Sequence, residues 1–214
     1  MIKFDHNRED RIRLPESVFC QDKTSEMIDE IIVHLLATSD RGVLFTRLTS
    51  EKFAQLNPES VSHLDYDALS GTALLGKSRP VKQDSKVAIV TAGTSDLSVA
   101  REALRTLQFL GIETTLVPDV GVAGLWRLEE RLDEINEHDV IIVIAGMDAA
   151  IVSVLGGLTY RPIIAVPTST GYGVSAKGQT ALNSILVSCS PGITTVNIDN
   201  GYGAACAAAR ILLS

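Results

Sequence analysis

The chain has 214 residues, 45% of them hydrophobic and 21% charged, which suits a globular protein of one large domain or two small ones. A formal charge of −7, with no basic stretch to offset it, argues against a nucleic-acid-binding surface. The three cysteines, Cys20, Cys189 and Cys206, are odd in number and widely spaced, so they imply neither a disulfide framework nor a zinc cluster.

The opening MIKFDHNREDR is polar and charged, and the longest apolar run, residues 140–145, is too short to cross a bilayer. A cytoplasmic protein with reduced thiols, without nucleic-acid or membrane contacts, is the expectation.

Residues 1–80 are predicted to form a small α+β domain. Thr24 and Ser25 open a helix whose apolar positions, Met27, Ile28, Ile31, Ile32, Leu35 and Leu36, recur at helical spacing. Arg41-Gly42 ends it, and residues 43–46 read as a strand. Thr49 or Ser50 caps a short helix through Leu56, which Asn57-Pro58 should stop. Residues 64–68 and 72–76, split by Leu69-Ser70-Gly71, read as a hairpin. The polar stretch 76–85 is predicted to be a linker.

From Lys86 the pattern alternates strictly. Apolar, β-branched runs at 87–91, 114–117, 140–145, 163–166 and 193–198 predict strands. Helical patterns lie at 97–110, 123–136, 149–158, 179–188 and 203–213. Strands so uniformly apolar are covered on both faces, which predicts a doubly wound, flavodoxin-like parallel sheet over residues 86–214. Such folds bind ligands at the carboxyl ends of their strands.

The loops after the strands combine glycine with Ser, Thr, Asp or Asn. They hold Ala92, Gly93, Thr94, Ser95 and Asp96; Pro118 through Gly124; Gly146, Met147 and Asp148; Pro167, Thr168, Ser169, Thr170, Gly171, Tyr172 and Gly173; and Asp199, Asn200, Gly201, Tyr202 and Gly203. Glycines let backbone N–H groups approach a ligand, and helix N-termini favour phosphate. Each loop taken singly is also what helix capping requires. Together they predict a nucleotide-sized polar ligand. Gly171-Tyr172-Gly173-Val174-Ser175-Ala176 matches GxGxxA, but it follows the fourth strand of this sheet and lacks the acidic residue a dinucleotide fold needs.

The segments VTAGTSDLSVAREAL, DVGVAGLWRL, VIAGMDAAIVSVLGGL, VPTSTGYG and VSCSPGITTVNIDNGYGAA together resemble the LarB family, closely over 86–214 and less sharply over the N-terminal unit. That family makes an early intermediate of the nickel-pincer nucleotide cofactor, on a catalytic domain similar to aminoimidazole ribonucleotide carboxylase/mutase (PurE-like). The resemblance implies carboxylation of the pyridinium ring of nicotinic acid adenine dinucleotide, cleavage of its phosphoanhydride and release of AMP. The product is pyridinium-3,5-biscarboxylic acid mononucleotide. It further implies carbon dioxide or bicarbonate as co-substrate, Mg²⁺ for the anhydride step, no prosthetic group and an octamer. Two positions depart from the family pattern: Asp148 stands where Glu is usual, and Trp126 where His is expected.

Cys189 matches the family's SC motif and is the expected nucleophile, whereas a cysteine taken alone is more often a small buried hydrophobe. An electron-poor pyridinium cannot attack carbon dioxide. A thiolate added at ring C4 gives an enamine-like C5 that can, which is covalent catalysis. Asp148 is the expected base for the C5 proton, with N-capping as its plain alternative role. Gly93, Thr94, Ser95, Asp96, Gly146, Met147, Thr168, Ser169, Gly171, Tyr172, Gly173, Asn197, Asp199 and Asn200 are the expected substrate-binding residues, and Lys177 a possible phosphate partner. No metal ligands are assigned. Competing readings are a purine-pathway carboxylase/mutase, which would lean on a rim histidine, and a non-catalytic nucleotide-binding regulator.

Overall fold

The computed structural model describes residues 2–212, with residues 82–85 described in backbone only. The N-terminal unit runs α1 (Arg8–Ile12), β1 (Val18–Phe19), α2 (Ser25–Thr38), β2 (Val43–Thr46), α3 (Ser50–Ala54), α4 (Pro58–Ser62), β3 (Leu64–Asp67) and β4 (Thr72–Leu75). Its mixed sheet has the order β1-β2-β4-β3, with β1 parallel to β2 and the other pairs antiparallel. Thr24 caps α2 by accepting the Met27 N–H. Ile28, Ile32 and Leu35 bury completely against Phe45, Val43 and Ala73. Met27 and Leu36 of the predicted apolar face are exposed, because the sheet covers a narrower stripe than their spacing implied.

Pro58 does not merely stop a helix; it occupies the first turn of α4. Its missing N–H has no partner to lose there. Gly71 makes the β3–β4 turn at φ +59.

The second unit contains β5 (Lys82–Thr91), α5 (Leu97–Phe109), β6 (Ile112–Val117), α6 (Trp126–Glu129), α7 (Leu132–Asn136), β7 (Val140–Ala145), α8 (Ala150–Gly156), β8 (Ile163–Pro167), α9 (Gln179–Leu186), β9 (Thr194–Thr195) and α10 (Gly201–Leu212). Its parallel sheet has the order β6-β5-β7-β8-β9, the flavodoxin-like order. Successive strand residues alternate between two cores. Val87, Ile89, Ile142, Ile144 and Val166 face α5 and α10, while Ala88, Val90, Ile141, Val143 and Ala165 face the α6–α9 side. This two-sided burial is why the runs read as uniformly apolar.

Several boundaries differ from the sequence expectation. The expected linker ends early, because β5 begins at Lys82 and pairs with Ile112. The expected helix over 123–136 is a 3-10 turn, Val122–Gly124, followed by α6 and α7. The expected strand 193–198 is ladder-paired only at Thr194–Thr195. The last helix starts at Gly201, and Leu213, its expected end, lies outside the described residues. Among the described residues no helix is long and apolar enough to cross a membrane.

Candidate active site

The order in which strands are added to the sheet reverses between β5 and β7, and ligands of such folds bind outside the carboxyl ends of the strands at that point. The β5 loop closes on Asp96, which is 2% exposed. Its Oδ2 accepts the Gly93 N–H at 3.0 Å, and its Oδ1 accepts the Thr168 hydroxyl from the β8 loop at 2.7 Å. Burial raises its pKa above the ordinary aspartate value, against the pull of these hydrogen bonds. Thr94 and Ser95 stay exposed above it on the same 3-10 turn.

The other loops are sewn to this one by backbone. The Met147 N–H donates to the Thr170 carbonyl at 2.9 Å. A Cβ on Gly146 would stand 2.5 Å from that carbonyl oxygen and 2.6 Å from Thr168 Oγ1, and one on Gly121 would stand 2.6 Å from the Ala92 carbonyl oxygen. Glycine is thus required by close approach. Asp199 Oδ1 accepts the Ser169 N–H at 2.8 Å, and its own N–H donates to the Pro167 carbonyl at 2.9 Å. Asp119, Met147, Ala149, Ala176, Lys177 and Asp199 all adopt positive φ in these loops. Such non-glycine conformations are costly and cluster where function constrains the backbone.

Asp148 is exposed and acts as a cap, its Oδ1 accepting the Ala150 N–H at 3.2 Å. In the β8 loop Gly171, Tyr172 and Gly173 are exposed, with Tyr172 84% accessible, as is Lys177. Beneath Gly171 the Ser175 hydroxyl is buried without a hydrogen-bond partner, the one such side-chain atom found among the described residues.

The thiol is placed elsewhere. Cys189 lies between the end of α9 and β9, and Thr194 of β9 pairs with Ile164 near the start of β8. A loop that precedes a strand of a parallel sheet sits at the amino end, opposite the loops that follow strands. Ser188 and Ser190, its neighbours, both bond Ser153 of α8, hydroxyl to hydroxyl at 2.7 Å and Ser190 hydroxyl to carbonyl at 2.7 Å. Cys189 itself is exposed. Asp96, Thr168, Ser169, Met147 and Asp199 are therefore brought together, and Cys189 of the same chain is not among them. Burial pushes the other two thiols up, Cys20 to about 12 and Cys206 to about 11, so neither ionises readily. Trp126, which stands where His is expected from the resemblance, opens α6 and is 60% exposed.

Arg47, just beyond β2, was not singled out by sequence. Its Nε lies 3.3 Å from Glu102 Oε1, and its Nη2 donates to the Asp199 carbonyl. Glu102 is buried in α5, accepts the Tyr202 N–H at 3.1 Å, and has its pKa raised by burial more than the Arg47 charge lowers it. The signal available in sequence was Glu102 as the one acid of α5, beside Arg101 and before Ala103-Leu104.

No group of three His, Cys, Asp or Glu side chains converges as a metal cage among the described residues. A Mg²⁺ ion is ordinarily held by one or two carboxylates together with substrate phosphates rather than by such a cage.

A family model described as AIR carboxylase matches residues 86–214, and one described as LarB/PurE-like N-terminal domain matches residues 1–77. An uncharacterized protein of Methanocaldococcus jannaschii is 41% identical over 212 residues, covering 95% of this chain and 80% of that protein. An N5-carboxyaminoimidazole ribonucleotide mutase of the same organism is 39% identical over 133 residues, covering 59% of this chain and 78% of the mutase. A crystal structure of PurE2 from Treponema denticola superposes with a TM-score of 0.51 at 25% identity, covering 60% of this chain and 80% of that one.

Proposed function

The chain belongs to the AIR carboxylase family, and from that premise we propose that it carboxylates the pyridinium ring of nicotinic acid adenine dinucleotide and cleaves the phosphoanhydride, releasing AMP and pyridinium-3,5-biscarboxylic acid mononucleotide. The observation that carries this reading is the pairing of a LarB/PurE-like N-terminal domain with the carboxylase domain in one chain. A close relative shares nearly the whole of that two-part architecture.

The carboxyl-end loops hold the dinucleotide. Backbone N–H groups and hydroxyls of Thr94, Ser95 and Ser169 face phosphate, and the unpartnered Ser175 hydroxyl gains an acceptor. The Cys189 thiolate adds to ring C4, and the electron pair moves through the ring to C5. C5 attacks carbon dioxide, forming the new carbon–carbon bond. Asp148 removes the C5 proton, the C4–sulfur bond breaks, and the thiolate leaves as aromaticity returns. Water cleaves the anhydride.

Because Cys189 and the loops of one chain lie at opposite ends of the sheet, the thiol comes from a neighbouring copy in the proposed octamer. Support comes from exposed apolar side chains at both ends: Leu186 and Val187 beside Cys189, and Tyr172 and Val174 at the rim.

Purified protein incubated with the dinucleotide, bicarbonate and Mg²⁺ should yield AMP and a mononucleotide heavier by one carboxyl, by mass spectrometry. Cys189→Ser should yield no carboxylated product. AMP without the carboxylated mononucleotide from the unaltered chain would reject the carboxylase reading and leave a hydrolase.

A mutase reading is favoured by the 39% identity to a named mutase. It meets a chemical obstacle, since His6, His34 and His63 lie in the N-terminal unit. His138 is buried at the start of β7, bonded to Thr115 Oγ1 at 2.8 Å and the Glu134 carbonyl at 2.9 Å. Isomerisation of N5-carboxyaminoimidazole ribonucleotide by the purified protein would restore it.

A further inference from the structure

Between the N-terminal sheet and the turn that opens α10 lies a cleft of about 570 Å³. Phe19 and Gln21 form one wall, at the end of β1. Asn197, Asp199 and Asn200 form the other, and Arg47 lies at the seam. That volume lies within the range of small-ligand sites.

We infer that this cleft is a nucleoside-monophosphate subsite, taking the AMP half of the substrate while the carboxyl-end loops take the pyridinium half. The inference rests on the reading above for its dinucleotide, but its chemistry is local. Phe19 lines the cleft and is 48% exposed, which leaves there an aromatic ring of the kind bases stack on. Gln21 and Asn197 are exposed, and their side-chain amides each carry both donors and an acceptor, the pattern that the edge of a base requires. Asn200 uses Oδ1 to accept the Gly203 N–H at 2.7 Å, which fixes its side chain at the opening of α10.

The two subsites share a wall. Asp199 holds the Ser169 N–H on the rim side at 2.8 Å, and its carbonyl accepts from Arg47 on the cleft side. Arg47 is in turn held by Glu102. The walls are therefore tied together rather than loosely apposed. Lys52 fixes the Gln21 end by donating to the carbonyls of Cys20 and Gln21. A connection through Asp199 places a base in the cleft and a ring at the rim on either side of one residue, as a substrate with two nucleosides and a linking anhydride requires.

AMP titrated into the full-length protein tests this, with hydrogen exchange and calorimetry as readouts. AMP should bind and slow exchange in both 19–21 and 197–202, and Phe19→Ala should weaken binding about tenfold or more. Gln21→Ala, at an exposed position, should weaken it as well and serves if Phe19→Ala fails to fold. Absence of AMP binding, protection confined to other segments, or unchanged affinity in both variants would overturn the subsite. The two proposals fail separately. AMP bound in the cleft by a protein that does not carboxylate the dinucleotide would sink the reaction and keep the subsite. Carboxylation with an unchanged KM in Phe19→Ala and Gln21→Ala would sink the subsite and keep the reaction.

Discussion

Asp96 is the carboxylate on which two loops converge, and its protonation is tied to folding. A carboxyl whose folded-state pKa is raised contributes stability fully below its ordinary value of 3.8 and loses it as pH rises through the raised value. The stability advantage of the unaltered chain over Asp96→Asn should therefore shrink from about pH 4 upward. Denaturant midpoints measured for both across pH would show it; a widening gap would mean that ionic partners, not burial, dominate at Asp96. Asp148 is a different case, exposed and capping α8 through one oxygen. Asp148→Asn retains that acceptor and removes the base. It should lower carboxylation by about 10²–10⁴-fold while leaving AMP affinity and thermal midpoint nearly unchanged. Loss of both together would assign Asp148 to structure alone.

At the scale of elements, the loops depend on backbone contacts that no larger residue fits. Gly146→Ala would drive a Cβ into the Thr170 carbonyl and the Thr168 hydroxyl, so the Met147 turn must move. A cost of about 1–3 kcal/mol in unfolding free energy is expected, with a larger loss of turnover than of stability. Equilibrium denaturation and single-turnover rates check the two. The central strands β5, β7 and β8 were legible because residues 87–91, 140–145 and 163–167 are buried on both faces and so read as blocks. Residues 193 and 196–198 of the last predicted strand were overcalled, since β-branched residues alone cannot tell a paired strand from an extended connection. The two-residue β1 and the five-residue α1 are too short for any periodicity to register. The rim loops were legible from glycine beside Asp, Ser and Thr. The placement of Cys189 was not, because its segment lies beside a strand at either end, and only chain direction says which end. Arg47 was missed because its partners, Glu102 and Asp199, are far from it in sequence.

For the whole molecule, the N-terminal unit is bolted to the sheet domain by Arg79 to Glu9 at 2.7 Å, Arg101 to Asp67 at 3.3 Å and Arg105 to Asp65 at 3.1 Å. These pairs are partly exposed, and each contributes on the order of 1 kcal/mol or less. The assembly has a sharper signature. If the thiol of one copy serves the loops of another, Cys189→Ser and Asp148→Asn are each inactive alone but complement when co-assembled. Random mixing leaves about a quarter of sites with both groups intact. Activity near that fraction in co-expressed oligomers is the expected result, and none would mean that both groups act within one chain. The Asp199 turn has a consequence for the order of events. A group that stiffens it from the cleft raises affinity at the rim by the same factor that rim occupancy raises affinity in the cleft. While the anhydride is whole, each half also holds the other at high effective concentration. On the proposed reaction, hydrolysis would end that tether in one stroke and the two products would then depart independently, so cleavage would double as the signal for release.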